Sequence, residues 1–71
     1  MVTVDYVENE IKSILKAHGE LSAAFITRFL HERGVDCTRQ KVERVLRSMV
    51  DRGILEAFYW DGNKRKHYRV R

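Results

Sequence analysis

The residues best suited to chemistry lie in one short stretch of the chain, between positions 38 and 47. Hydrogen-bonding and basic side chains recur there: Thr38, Arg39, Gln40, Lys41, Arg44 and Arg47. Arginine can donate two parallel hydrogen bonds to a guanine edge, and glutamine can pair with adenine in the same bidentate way. These six residues are therefore candidate contacts to base edges or phosphates, although a helix face that is charged only for solubility would have a similar composition.

A second basic cluster follows Gly62, where the residue types predict a tight turn. It consists of Asn63, Lys64, Arg65 and Lys66. Three adjacent cations at a hairpin tip would bind phosphates with a steep dependence on salt. The alternative is a charged tip that prevents association between sheet edges.

The charge of the chain is polarised along its length. The formal net charge is +4. Residues 1–35 hold four basic and five acidic residues, whereas residues 36–71 hold ten basic and five acidic residues. This distribution favours a polyanionic partner for the second half of the chain.

Enzyme chemistry is not expected from this sequence. No nucleophile has a suitably spaced base, no glycine-rich loop could hold a phosphate, and the Cys and His residues lack the spacing of a zinc site. We therefore expect no catalysis, cofactor, metal or small-molecule ligand. The single cysteine, Cys37, is expected to be a buried thiol.

The length of 71 residues allows one domain with one small core, which we place at residues 1–71. No apolar run exceeds four residues, the length of Ala57 to Trp60, and the N-terminus lacks the pattern of a secretory signal. We expect a cytoplasmic protein, associated with the nucleoid and without a membrane partner.

Glycines and apolar spacing predict three helices. The first is expected at about Asp5 to Ala17, with Asp5 as its cap and Gly19 at its end. The second is expected to begin at a Ser22 cap and stop at Gly34, with four residues facing inward: Phe25, Ile26, Phe29 and Leu30.

The third helix is expected to begin at a Thr38 cap and end at Gly53. Its predicted core positions are Val42, Val45, Leu46, Met49 and Val50. At 100° per residue, Gln40, Arg44 and Arg47 lie opposite this apolar stripe, together with Asp51.

The chain is predicted to finish as a hairpin with strands at about Leu55–Trp60 and Arg65–Val70. A two-residue loop places one set of side chains on the core face near the strand bases: Leu55, Ala57, Tyr59, Lys66, Tyr68 and Val70. A three-residue loop would exchange the two faces.

Aromatic side chains on the opposite hairpin face have two interpretations. Phe58 and Trp60 could pack on the first helix as part of the core, or could form a contact surface for a second subunit or another protein. Tyr6 on the first helix is a further candidate for such a partner surface.

The segments Cys37–Leu55 and Phe58–Tyr68 resemble the winged helix-turn-helix family of DNA-binding domains. The first is similar to a recognition helix that ends in a glycine and two apolar residues, and the second is similar to a basic wing. The similarity spans about Asp5 to Val70 and is typical of small stand-alone archaeal, archaeal-viral or bacterial regulators.

The resemblance implies an α+β fold of three helices followed by a two-stranded wing, with Glu20-Leu21 as a candidate third strand. It also implies a homodimeric transcriptional regulator that binds double-stranded DNA, with the third helix in the major groove and the wing on the minor groove or backbone. Two alternatives stay open. One is a winged-helix module that binds a protein, favoured by Glu43 and Asp51, and the other is a non-specific architectural or replication-associated DNA binder.

Overall fold

The fold combines three helices with one three-stranded antiparallel sheet, so the predicted α+β class is confirmed. The computed structural model describes residues 3–59 and 65–71. The elements in chain order are α1 Val4–His18, β1 Glu20–Ser22, α2 Ala23–Glu32, α3 Arg39–Asp51, β2 Leu55–Tyr59 and β3 Lys66–Val70. The strand order is β1-β3-β2, so the last strand lies at the centre of the sheet.

Helix α1 begins one residue earlier than predicted and has a different cap. The hydroxyl of Thr3 accepts a hydrogen bond from the backbone N–H of Tyr6 at 3.1 Å. The prediction that Asp5 caps this helix is therefore wrong. Asp5 lies in the first turn, where its charge still favours the positive end of the helix dipole.

Helix α2 follows β1 directly and is rotated relative to the prediction. Its buried residues are Ala23, Ile26, Thr27 and Leu30. Phe25, which was predicted to face inward, is 47% exposed. Thr27 can take an inward position because its hydroxyl donates to the carbonyl of Ala23 at 2.8 Å, which satisfies the buried polar group.

Phe29 is partly buried at the edge of the core, and its ring stacks on His18 at the end of α1, with 4.3 Å between the ring centroids. Ser22 occupies the N-cap position of α2, as predicted, but its side chain forms no capping hydrogen bond.

Helix α3 agrees closely with the sequence prediction. The Thr38 hydroxyl accepts from the backbone N–H of Lys41 at 3.2 Å. Four of the five predicted apolar positions are buried and the fifth, Val50, is partly buried. Cys37, just before the cap, is buried, and burial raises the pKa of its thiol.

The sheet has the register that places the predicted residues on the core face. Leu55 pairs with Val70, and Ala57 pairs with Tyr68. Leu55 and Tyr68 are buried, but Tyr59 at the far end of β2 is 60% exposed. The third strand is confirmed as β1 and is one residue longer than predicted. The predicted turn at Asp61-Gly62-Asn63 lies outside the described residues.

All three helices and the sheet contribute to one core. The side chains that are almost completely removed from solvent are Val7, Ile11, Ile14, Leu15, Ile26, Leu30, Val35, Val42, Leu46, Met49 and Leu55. They come from every helix, from the segment before α3 and from β2. This common core holds α3 and the hairpin against the same body.

The connection from α2 to α3 depends on Gly34, whose φ is +81°. The N–H of Val35 bonds to the carbonyl of Leu30 at 2.9 Å, which closes the end of α2. No atom lies within 4 Å of a Cβ built at Gly34. We expect Gly34→Ala to lower the free energy of unfolding by about 1–2 kcal/mol, because an L-residue is strained at this φ. Denaturant unfolding measures the change.

A chemically synthesised chain with D-alanine at position 34 is the matched control. D-alanine has the same side chain but prefers positive φ, so the free energy of unfolding should return to the wild-type value or exceed it. An equal loss of stability with both alanine enantiomers would contradict the conformational explanation.

Candidate functional site

The outward face of α3 carries the first predicted cluster. Thr38, Arg39, Gln40, Lys41, Arg44 and Arg47 are all exposed. The buried side chains of the same helix lie on its opposite side. Because α3 is anchored by these buried residues, its polar side chains project from a fixed support.

Most of the positive charge on this face is not neutralised within the protein. Arg39 pairs with Glu43 one turn later, with an N–O distance of 3.3 Å. Lys41, Arg44 and Arg47 form no ion pair with an acidic side chain in residues 3–59 and 65–71. Three cations on the face are therefore available for an external anion.

Two glutamates of α1 are paired with arginines that lie away from this face. Glu10 accepts from Arg33, just after α2, at 2.8 Å. Glu8 accepts from Arg52, just after α3. These pairs link the ends of α2 and α3 to α1. The carboxylates of Glu8 and Glu10 are therefore paired with arginines outside the α3 face.

A groove of about 520 Å³ separates the second half of α3 from the hairpin. It is lined by Glu43, Arg47, Val50, Asp51, Ala57, Lys66 and Tyr68. Burial, and then the nearby charge of Glu43, raise the pKa of the Tyr68 phenol. The groove therefore has an apolar floor and charged rims of both signs.

The second predicted cluster is only partly described. Arg65 and Lys66 are exposed at the start of β3, whereas Asn63 and Lys64 lie outside the described residues. Arg47 of the first cluster and Lys66 of the second line the same groove.

Tyr59 is a candidate contact residue that the sequence reasoning missed. It was assigned to the core face, and it does pair with Lys66 on that face. The core ends before Tyr59, which leaves its ring exposed. The distance of Tyr59 from the strand base, four residues after Leu55, was the available signal.

Two of the residues predicted for a partner surface are described, Tyr6 on α1 and Phe58 on β2. Tyr6 is 45% exposed on α1, and a hydrogen bond with Glu10 is the main cause of the raised pKa of its phenol. Phe58 lies on the outer face of the sheet, where the guanidinium of Arg69 lies 4.8 Å from the centre of its ring. His67 contacts the same ring at 6.1 Å between centroids. Trp60 lies outside the described residues.

Two features were sought in the described ranges, a cluster of metal-ligating side chains and a helix that could span a membrane. Within these ranges, no group of three or more His, Cys, Asp or Glu side chains is arranged to hold a metal ion. No helix of that part of the chain combines the length and apolar character needed to cross a membrane.

Comparison with known proteins adds no relative. Neither a scan against protein-family models nor a search of curated proteins finds a match to this chain. A function for this chain is therefore inferred from its own geometry and charge.

The ion pair beside Phe58 gives a testable pH dependence. Arg69 donates to both carboxylate oxygens of Glu56, at 3.1 and 3.3 Å, and holds the pKa of that carboxyl below its usual value. The stabilisation from this pair is complete above the unfolded-state pKa and is lost as the pH falls through the folded-state pKa. We expect Arg69→Gln to raise the pKa of Glu56, as measured by NMR titration of its carboxyl carbon.

Arg28→Gln is the control for this titration, since it removes the same charge from the exposed surface of α2. The pKa of Glu56 should hardly change in this variant. An equal rise in both variants would show that net charge, and not the pair with Arg69, lowers the pKa.

Proposed function

We propose that this chain is a winged helix-turn-helix domain that binds double-stranded DNA, in the manner of a transcriptional regulator. Its order of elements and its sheet order β1-β3-β2 are compatible with that fold. In this proposal α3 enters the major groove, and the hairpin contacts the adjacent minor groove or backbone.

The observation that carries the proposal is the unneutralised charge on the outward face of α3. Lys41, Arg44 and Arg47 are exposed and lack acidic partners in the described ranges. An exposed cation without a partner can displace the counterions of a phosphate backbone, which favours binding to DNA.

The spacing of this face suits a DNA groove. Gln40 and Arg47 are seven residues apart, which corresponds to about 10 Å along the helix axis. That distance is the rise of about three base pairs. Gln40, Arg44 and Arg47 therefore have the reach to contact neighbouring base pairs, with Gln suited to adenine and Arg suited to guanine.

Substitution of the central arginines tests the proposal. We expect Arg44→Ala and Arg47→Ala each to weaken duplex binding by about 1–3 kcal/mol, because each removes a bidentate or phosphate contact. Fluorescence polarisation of a labelled duplex at low salt measures the change. Both positions are exposed, so thermal unfolding should be close to that of the wild type.

Lys16→Ala is the matched control for charge. Lys16 is exposed on α1, and its substitution removes one positive charge away from the proposed interface. It should reduce affinity much less than the α3 variants. A similar loss in all three variants would indicate non-specific attraction and would contradict the assignment of the α3 face.

The hairpin makes a separate contribution that salt can reveal. We expect Lys66→Ala to reduce the slope of log affinity against log salt by about 1, because one phosphate contact is removed. Affinity measured over a series of salt concentrations gives this slope. An unchanged slope would show that Lys66 does not contact a DNA phosphate.

The proposal includes a homodimer on two half-sites, since one domain of this size has a small footprint on DNA. The exposed side chains of Val4 and Tyr6 on α1 are candidates for its interface. Sedimentation of the protein with and without duplex would determine the number of chains bound.

A protein-binding domain with the same fold is the competing proposal. It is favoured by Glu43 and Asp51, which are exposed on α3 and line the groove beside Arg47. Selection from a randomised duplex pool separates the alternatives. An enriched palindrome supports a dimeric regulator, salt-sensitive binding without enrichment supports an architectural role, and no binding at low salt supports a protein partner.

A further inference from the structure

Ser22 is the one buried polar side chain of the described residues that lacks a hydrogen-bond partner among them. The residue is 4% exposed. An unsatisfied buried hydroxyl costs about 1–3 kcal/mol, so it requires an explanation. Ser22 lies at the junction of β1 and α2, where it is the N-cap residue of the helix.

The junction leaves the N-terminus of α2 open to a ligand. In α1 and α3 the threonine caps accept a hydrogen bond from a first-turn N–H. Ser22 has the same backbone conformation, with φ −79° and ψ 164°, but its side chain accepts no such bond. The first-turn N–H groups of α2 therefore lack the side-chain acceptor that the other two helices have.

Ser22, the last residue of β1, lines a pocket of about 240 Å³ together with residues of α2, α3 and the start of β3. The other lining residues are Ala23, Arg39, Glu43, Arg65, Lys66 and Tyr68. Three of these carry positive charge. The single carboxylate, on Glu43, is paired with Arg39 at 3.3 Å. The pocket is therefore a small cationic cavity at the positive end of a ten-residue helix.

We infer that this pocket binds one phosphate group of the DNA backbone, with the Ser22 hydroxyl and the first-turn N–H groups of α2 as hydrogen-bond donors. The hydroxyl moves between staggered positions by rotation about one bond, so it can turn toward a ligand. Arg39 and Lys66 supply the charge. The inference deepens the proposed function and depends on it.

A phosphate contact at this place would fix the orientation of the protein on the duplex. The pocket is lined by Arg39 of the first basic cluster and by Arg65 and Lys66 of the second. A backbone phosphate held between them would lie beside residues of both clusters, and contacts of this kind set register without reading sequence.

The test compares Ser22→Ala with the wild type on one labelled duplex. A hydrogen bond to a charged group contributes about 1.5–3 kcal/mol, so we expect affinity to fall by about tenfold or more. Thermal unfolding should show no loss of stability, because the hydroxyl forms no bond within the described residues. A lower unfolding temperature with unchanged affinity would assign Ser22 a structural role and overturn the inference.

Thr3→Ala is the matched control, because it removes a hydroxyl from another helix cap. The Thr3 hydroxyl accepts from the backbone N–H of Tyr6, so its loss should lower the unfolding temperature. Duplex affinity should not change. Ser22→Ala should therefore weaken duplex binding without loss of stability, whereas Thr3→Ala should reduce stability without weakening duplex binding.

The phosphate group in the pocket could come from the DNA backbone or from free inorganic phosphate. Titration with inorganic phosphate, compared with sodium chloride at the same ionic strength, distinguishes these two ligands. In the wild type we expect inorganic phosphate to shift the amide NMR signals of Ala24 and Phe25 and to compete with the duplex, and in Ser22→Ala both effects should disappear. Phosphate-specific shifts combined with equal duplex affinity of both proteins would identify free phosphate as the ligand and overturn the backbone assignment.

The remaining outcomes distinguish this inference from the proposed function. If Ser22→Ala binds the duplex as the wild type does while Arg44→Ala binds weakly, the pocket is not a DNA contact although the α3 assignment stands. If the wild type binds no duplex at low salt, the proposed function fails and the backbone assignment fails with it.

Discussion

The structure depends most on the burial of the apolar stripe of α3, because this stripe determines which side chains of the helix face outward. Val42, Leu46 and Met49 have no exposed surface. Full burial of each contributes about 1.5–3 kcal/mol. A rotation of α3 by one residue would expose part of this stripe and move Arg44 or Arg47 toward the core, where an unpaired charge is far more costly. The rotation of α3, and with it the outward cationic face, is therefore strongly determined.

Charge is distributed so that α3 keeps its positive side chains available. Exposed ion pairs contribute little to stability, typically less than about 1 kcal/mol. Their placement matters more here than their energy. Glu8 and Glu10 on α1 hold Arg52 and Arg33 at the ends of α3 and α2. The arginines that take part in packing the helices are thus different from those on the outward face, and the two groups do not compete for the same acids.

Local signals predicted the helices, the hairpin register and the α3 face, because each depends on residues close together in sequence. Thr38 and Gly34 mark helix ends by their own chemistry. The exposure of Phe25 was not predictable in this way, because the rotation of α2 depends on how the helix packs against α1, α3 and the sheet. The pocket beside Ser22 was also not predictable from the sequence, since its walls come from four elements that meet only in the folded chain.

The packing of β3 on the core places Lys66 of the second basic cluster near Arg47 of the first. Tyr68 lies in the central strand, between β1 and β2, and is buried against the core. Its position makes Lys66, two residues earlier on the same face, line a groove with Arg47 of α3. Because α3 and β3 pack on one core, Arg47 and Lys66 would approach a duplex as parts of a single body. Under the proposed function, a contact made by one element restricts where the other can bind, so the two clusters should contribute to affinity cooperatively and not as independent charges.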